Sequence, residues 1–418
     1  MDIEHPRFLT RQKAAEIAEK FGTPCYVYDE QSLVAQAKAA LAFPNAFGLT
    51  VRYAMKAASN KNILRLFSGL GIKIDASSAY EAARAMSAGI PAADISLSSQ
   101  QLPDNLAGLI TAGVKYNACS FRQLEEYGKL FPGGKVGVRI NPGLGSGGTK
   151  RTNVGGPASS FGIWRDYIPQ IKQTAEKFGL KIERIHTHIG SGSDPEVWQK
   201  VAKMSIATVA EFPDATTLDM GGGFKVARMA GEKSTDLRIV GEPVAREIEE
   251  FARKTGRKLH FEIEPGTFLT ANCGAVLARV QDICDTGAEG YKFLKLDTGM
   301  TDILRPSIYG AQHPISILGD SPETENYIAV GHCCESGDIL TPAAGDPEGL
   351  APRPMLKAAI GDLCVIGGAG AYCSSMCAVN YNSYPAAPEV LLRESGEAVL
   401  IRGRQTPEQI TQNELDIL

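Results

Sequence analysis

The nine cysteines of the 418-residue chain include no C-x-x-C pair, and their number is odd. This argues against a disulfide framework or a structural zinc site and for a reducing compartment, with the cytoplasm as the default. Charge of one sign is also missing, since 43 basic side chains stand against 47 acidic ones. A near-neutral chain has no electrostatic footprint for nucleic acid or an anionic membrane, so neither is expected as a partner. The longest uncharged stretch, residues 363–388, is broken by Gly, Ser, Asn and Pro and makes a poor membrane span. The opening MDIEHPRFLT lacks a basic segment followed by an apolar one, so no secretory signal is expected. With 44% hydrophobic and 22% charged residues, extended disorder and collagen-like structure are excluded. The length suits two or three domains, or one large barrel with an attachment.

Between Val51 and Gly266 one phrase recurs: a short run rich in Val, Ile and aromatics, a polar or Gly turn, then a helix-like stretch. Eight such runs are expected as strands, at 51–56, 72–77, 95–98, 115–119, 136–141, 184–189, 217–220 and 259–264. Helix signals lie between them. Ser78 with Glu81 and Ser120 with Gln123 have capping-box spacing, Asn60 precedes an apolar-periodic run, and Gly71 follows it where a C-cap belongs. Eight alternating units predict an α/β protein with a (β/α)8 TIM-like barrel; a doubly wound open sheet is the alternative. The two differ in where polar residues gather, at many strand ends in a barrel and at one switch point in an open sheet. Here Lys56, Asp75, Asn141, His188, Gly221 to Gly223 and Glu264 close six different runs, which favours the barrel.

Past residue 280 the pattern changes to short β-like runs at 291–296, 327–330, 363–366 and 398–402, with Gly and Pro turns. Residues 8–21 read as an amphipathic helix and 25–28 as a strand able to join that later sheet. The expected organisation is therefore a barrel over 36–279 and an all-β domain built from 1–35 and 280–418.

One motif is a decoy. Gly143, Gly145 and Gly148 match G-x-G-x-x-G, yet TKRTNVGGP follows, with no helix and no suitably spaced acid. The segment reads instead as a loop over the barrel mouth. Lys56, at an apolar strand end, is either a snorkelling surface lysine or an amine with a destabilised charge, suited to imine formation. His186 and His188 lie two apart on a strand; they could bind metal, stack on a planar cofactor, or divide between core and surface. Gly221, Gly222 and Gly223 follow a strand where bare amides can approach a phosphate. Glu264 can pair with a protonated ring nitrogen, and the Gly266 amide can help hold the same phosphate. An amine, a ring to stack, glycine turns and an acid together describe a site for an anionic, planar aldehyde, pyridoxal 5'-phosphate, with no metal. Arg305 is placed to pair bidentately with a carboxylate. Tyr309, Tyr372 and the C-C-E-S-G-D motif at 333–338 complete the set.

The segments YAMKAASN, HTHIGSGS, GGGF, EIEPGTF, DTGMTDILRPSIYG, CESGDIL and GAYCSSM…NYNSYP, in this order, resemble the pyridoxal-phosphate decarboxylases with an alanine-racemase-type barrel, in the diaminopimelate branch. The likeness runs from about residue 24 to the end. It implies decarboxylation of meso-2,6-diaminopimelate to L-lysine and carbon dioxide by a homodimer with active sites at the subunit interface. It also implies roles. Lys56 would hold the cofactor aldehyde and His188 would stack on the ring, with Asp75 among the cofactor-binding residues. Ser191, Gly222, Gly223, Gly266 and Tyr372 would contact the phosphate, and Glu264 would pair with the ring nitrogen. Cys334, from the other subunit, would help deliver the proton after carbon dioxide leaves. Glu335 would hold the distal amino group, and Arg305 with Tyr309 and Tyr372 would bind the substrate, its distal carboxylate falling to Arg305 and Tyr309.

Two positions depart from the family pattern. Thr267 follows E-P-G where an Arg is usual, and Ser160 stands where a Lys is usual; Lys150 or Arg151 is the expected compensation. Thr267 keeps open a decarboxylase for another amino acid, such as ornithine, lysine, arginine or a carboxylated polyamine precursor. Arg305 argues against it. A silent regulatory homologue would need neither Lys56 nor the Cys334 and Glu335 pair, and a racemase fits C-E-S-G-D less well.

Overall fold

The computed structural model describes residues 3–147, 153–190 and 194–417. Its contacts divide the chain into two units, one of Val34–Val226 and Lys233–Leu269, the other of Met1–Leu33, Ala227–Glu232 and Thr270–Leu418. The change of pattern expected after residue 279 falls inside a strand, Gly274–Asp285.

In the first unit eight strands form a closed parallel barrel: β1 (Leu49–Ala54), β2 (Lys73–Ala76), β3 (Ile95–Leu97), β4 (Lys115–Ala118), β5 (Lys135–Asn141), β6 (Lys181–His186), β7 (Thr217–Asp219) and β8 (His260–Ile263). Each pairs with the next, and β8 pairs back with β1 through Phe261 and Leu49, so no edge remains. All eight expected runs are strands of this barrel, and the open-sheet alternative falls with the closure.

The helices between the strands begin where side chains replace missing backbone partners. Ser78 and Ser120 accept from the amides of Glu81 and Gln123, and Asn60 accepts from Asn62. The reciprocal half of each expected box is displaced by one residue: Glu81 Oε2 accepts from Ser77 N and Gln123 Oε1 from Cys119 N. That shift ties each helix to the strand before it, because Ser77 and Cys119 follow β2 and β4 directly. Gly71, at φ +92°, follows the helix Lys61–Gly69 in a conformation that L side chains rarely adopt.

The second unit is mostly sheet. Cys25–Asp29 lies between Gly274–Asp285, antiparallel, and Glu389–Leu392, parallel, so the amino-terminal strand completes the sheet built by the later chain. The helix Arg11–Phe21, capped by Thr10, starts three residues later than the sequence suggests. Its buried Ala14, Ile17 and Ala18 share a core with Cys25, Val27, Ala275, Leu277 and Val365. Of these, the buried Ile17, Val27, Leu277 and Val365 side chains contribute about 1.5–3 kcal/mol each. The strands Thr324–Val330, Arg353–Leu356, Leu363–Ile366 and Ala398–Arg402 fill out the unit. No helix among the described residues is long and apolar enough to cross a membrane.

Candidate active site

The barrel interior is polar at two levels. In the deeper one, Arg52 donates to Glu262 through Nε at 2.9 Å and Nη2 at 3.0 Å, a bidentate pair with the guanidinium 1% exposed. Arg184 Nη2 approaches the same carboxylate at 3.2 Å. Burial works against the Glu262 charge, but Arg184 and Arg52 hold its carboxyl down at about 2. The network then climbs. Arg184 Nη1 donates to Ser96 Oγ at 3.1 Å, Asn117 Nδ2 to Ser98 Oγ at 2.9 Å, and Ser98 Oγ lies 3.3 Å from His186 Nδ1.

His186 opens the upper level, at the carboxyl ends of the strands. Its Nε2 lies 3.3 Å from Glu264 Oε2 in poor hydrogen-bond geometry, and Glu264 Oε1 is buried without a partner. Burial opposes the Glu264 charge, yet His186 and the neighbouring Asp219 keep the carboxyl well below its ordinary range. Asp75 and Asp219 behave oppositely. Burial, and then the Glu264 charge, push both well above the carboxylate range. Asp75 Oδ1 and Asp219 Oδ2 also lack partners. Three buried carboxyls at one barrel mouth thus hold one firm negative charge, on Glu264.

His188 is half-buried just past β6, and its Nδ1 accepts from Gly222 N at 3.2 Å. An imidazolium has no lone pair to accept with, so this ring is neutral and carries its proton on Nε2. Burial, then the charges of Arg139 and Lys56, push its pKa well down, in agreement. The glycines of the MGGG turn are required here. A Cβ on Gly221 would meet His188 Nδ1 at 2.6 Å, and one on Gly222 would meet the Glu264 carbonyl at 2.6 Å. Trp198 Nε1 donates to the Gly222 carbonyl at 3.2 Å, which pins the peptide plane.

Lys56 sits in the one-turn helix Met55–Ala57 after β1, exposed between buried neighbours. Asn141 serves the loop that follows it: Oδ1 accepts from Gly143 N at 3.0 Å and Gly156 N at 2.9 Å. Gly266 precedes the short helix Thr267–Thr270. Ser160 is exposed, within 3.3 Å of Gln100 Nε2. Ser191, Gly148, Lys150 and Arg151 lie outside the described residues.

The remaining expected residues belong to the second unit. Arg305 opens the helix Arg305–Tyr309, and its Nη1 lies 2.8 Å from His313 Nε2. Cys334 is exposed, with its amide donating to Asn382 Oδ1 at 2.8 Å. Glu335 is exposed and accepts from Tyr381 at 3.3 Å. Tyr384 stacks on His332 at 3.6 Å and donates to its carbonyl, fastening the start of the C-C-E-S-G-D loop. Asn380, Asn382 and Ser383 all have positive φ, as does Tyr372 at +56°. Such clusters of strained backbone occur at functional sites.

Sequence reasoning missed Asp219 and Arg139. Asp219 closes β7 and accepts from Gly221 N at 2.9 Å, so the strand-end criterion applied to the other strands would have found it. Arg139 lies over the Phe161 ring, 5.0 Å from its centroid, and had no motif to mark it.

A closed barrel whose mouth gathers an amine, a neutral imidazole, a glycine turn and one firm buried carboxylate has the parts of a pyridoxal-phosphate enzyme. Residues 31–271 match the family of pyridoxal-dependent decarboxylases through its pyridoxal binding domain, and the chain belongs to that family. It is 35% identical to the diaminopimelate decarboxylase of Escherichia coli strain K12, an alignment covering 97% of each chain. A crystal structure of diaminopimelate decarboxylase superposes with a TM-score of 0.91 at 34% identity, covering 99% of this chain and 100% of that one. The Helicobacter pylori diaminopimelate decarboxylase complexed with L-lysine superposes at 0.82 with 27% identity, covering 96% and 98%.

The residues fit the cofactor of that family, pyridoxal 5'-phosphate. The unpartnered Glu264 Oε1 is an acceptor for a protonated ring nitrogen, and the MGGG turn has no side chains to obstruct a phosphate. His186, Asp219 and Glu264 present donor atoms within 4.8 Å of one another.

Proposed function

We propose that this protein decarboxylates meso-2,6-diaminopimelate to L-lysine and carbon dioxide, the last step of lysine biosynthesis, as a cytoplasmic homodimer. Near-full-length identity to diaminopimelate decarboxylases supports the reaction. The observation that carries the substrate is Arg305, supported by a neutral His313 and making no ion pair with a carboxylate among the described residues. A substrate without a distal carboxylate leaves that guanidinium idle.

Bound pyridoxal phosphate supplies an electron sink for the bond to the departing carboxylate. The chain's own residues prepare for this. Lys56 offers the amine that would hold the cofactor aldehyde. Glu264, kept ionised against burial, would pair with the protonated ring nitrogen, with His186 beside the carboxylate. His188, kept neutral by the Gly222 amide, offers a flat uncharged face. Gly222, Gly223, Gly266, Ser191 and Tyr372 are assigned to the phosphate, and Asp75 to the cofactor. Cys334 and Glu335, exposed on their loop, are assigned across the dimer: the thiol to proton delivery at the carbon that loses carbon dioxide, the carboxylate to the distal amine. Arg305 and Tyr309, with Tyr372, bind the substrate.

Carbon dioxide release by the purified protein, with and without added pyridoxal phosphate, tests this across meso-diaminopimelate, L-lysine, L-ornithine and L-arginine. Cofactor-dependent release from diaminopimelate alone is expected. Lys56→Ala should lower that rate by about 10³-fold or more. Release from another amino acid, or an active Lys56→Ala, would overturn the reading.

A further inference from the structure

Two arginines of the second unit lie close together with no acid to pair them. Arg228 belongs to the short segment Ala227–Glu232. Its Nε donates to the Gly368 carbonyl at 3.0 Å, while its Nη2 is sealed from solvent without a partner. Glu232 is near but occupied, its Oε2 accepting from the backbone amides of Arg228 and Met229 at 2.7 and 3.1 Å. Burial, then the charge of Arg305, push the Arg228 guanidinium down to about 9.

The position is built for this side chain. Gly368 has φ +65°, and a Cβ there would meet Arg228 Cγ at 2.9 Å and Cδ at 3.0 Å. The neighbouring Gly367 carbonyl lies 2.9 Å from His313 Nδ1. A carbonyl only accepts, so His313 carries its proton on Nδ1 and its Nε2 accepts from Arg305 Nη1. Two successive carbonyls after the strand Leu363–Ile366 thus orient both guanidiniums, one directly and one through a neutral imidazole. Neither guanidinium has a carboxylate partner among the described residues. Guanidinium resists giving up its proton, so the arrangement is relieved by an anion from outside. A carboxylate is an anion that such a pair of charges would favour.

We propose that Arg228 is a specificity-determining residue which, with Arg305, binds the substrate carboxylate remote from the reaction. The inference rests on the proposed reaction for the identity of its ligand, but its test does not need turnover.

L-lysine carries the remote carboxylate and cadaverine lacks it, so binding of each to the holoenzyme is compared for wild type, Arg228→Met and Arg228→Lys. Arg228→Met should weaken L-lysine about 10- to 100-fold and leave cadaverine within about twofold. The KM for meso-diaminopimelate should rise by a similar factor with kcat little changed. Arg228→Lys should fall between, keeping charge but losing the fork, and it decides the matter if Arg228→Met does not fold. Equal L-lysine affinity in Arg228→Lys and wild type would overturn the assignment. So would a loss of pyridoxal-phosphate affinity with L-lysine binding intact, which would give the guanidinium to the phosphate. Wild type that binds L-lysine through Arg228 but releases no carbon dioxide from diaminopimelate would refute the proposed reaction and leave this site standing.

Discussion

Two pairs of arginines, one in each unit, are used in opposite ways. Inside the barrel, Arg52 and Arg184 close on a single carboxylate, Glu262, and the charge of all three is consumed within the fold. In the second unit, Arg228 and Arg305 are held only by neutral groups, the Gly368 carbonyl and His313 Nε2. Burial alone does not separate the cases, since guanidinium nitrogens are shielded in both. What separates them is whether the fold supplies the anion. Where it does, the cluster supports structure. Where it does not, as at Arg228 and Arg305, the anion we propose is the substrate's.

Breaking the first cluster should have the largest effect on stability. Glu262→Gln leaves two buried guanidiniums against a neutral amide and should cost about 3–5 kcal/mol in denaturant unfolding; a change below about 1 kcal/mol would erase the distinction between the two regions. Acid probes the same carboxylate reversibly. Its folded pKa, about 2, is below the ordinary 4.5. The stability it contributes is therefore full above that ordinary value and is lost as pH falls from there towards 2. Unfolding measured down that range should show a steeper loss in wild type than in Glu262→Gln, and parallel curves would contradict the assignment. The smallest effect belongs to the link between levels. Ser96→Ala removes one acceptor from Arg184 and should cost about 1 kcal/mol, with kcat nearly unchanged; a large fall in kcat would mean that the deeper network tunes the site.

The barrel was legible because six of its eight runs carry at their ends a polar or glycine residue that an apolar strand does not need, as with Asp75, Asn141 and Glu264. The strand Gly274–Asp285 was not. Its first five residues, GAVLA, are a continuous apolar run close behind β8, and periodicity does not tell the last barrel element from the first of another sheet. The cofactor residues of the barrel could be named because they follow strands directly. Arg228 could not, because it follows a glycine turn in a motif-free loop and is defined by Gly368, 140 residues away. Thr267 marked a missing charge, and only the folded chain showed a second guanidinium beside Arg305.

One comparison of substrates tests the account most directly. Because meso-diaminopimelate yields L-lysine, the carboxylate that leaves is on the D centre, and D-lysine presents the same reacting centre without the remote carboxylate. The ratio of kcat/KM for meso-diaminopimelate over D-lysine in the wild-type holoenzyme should be at least about 10². A ratio near one, or in favour of D-lysine, would contradict a site built around a remote carboxylate.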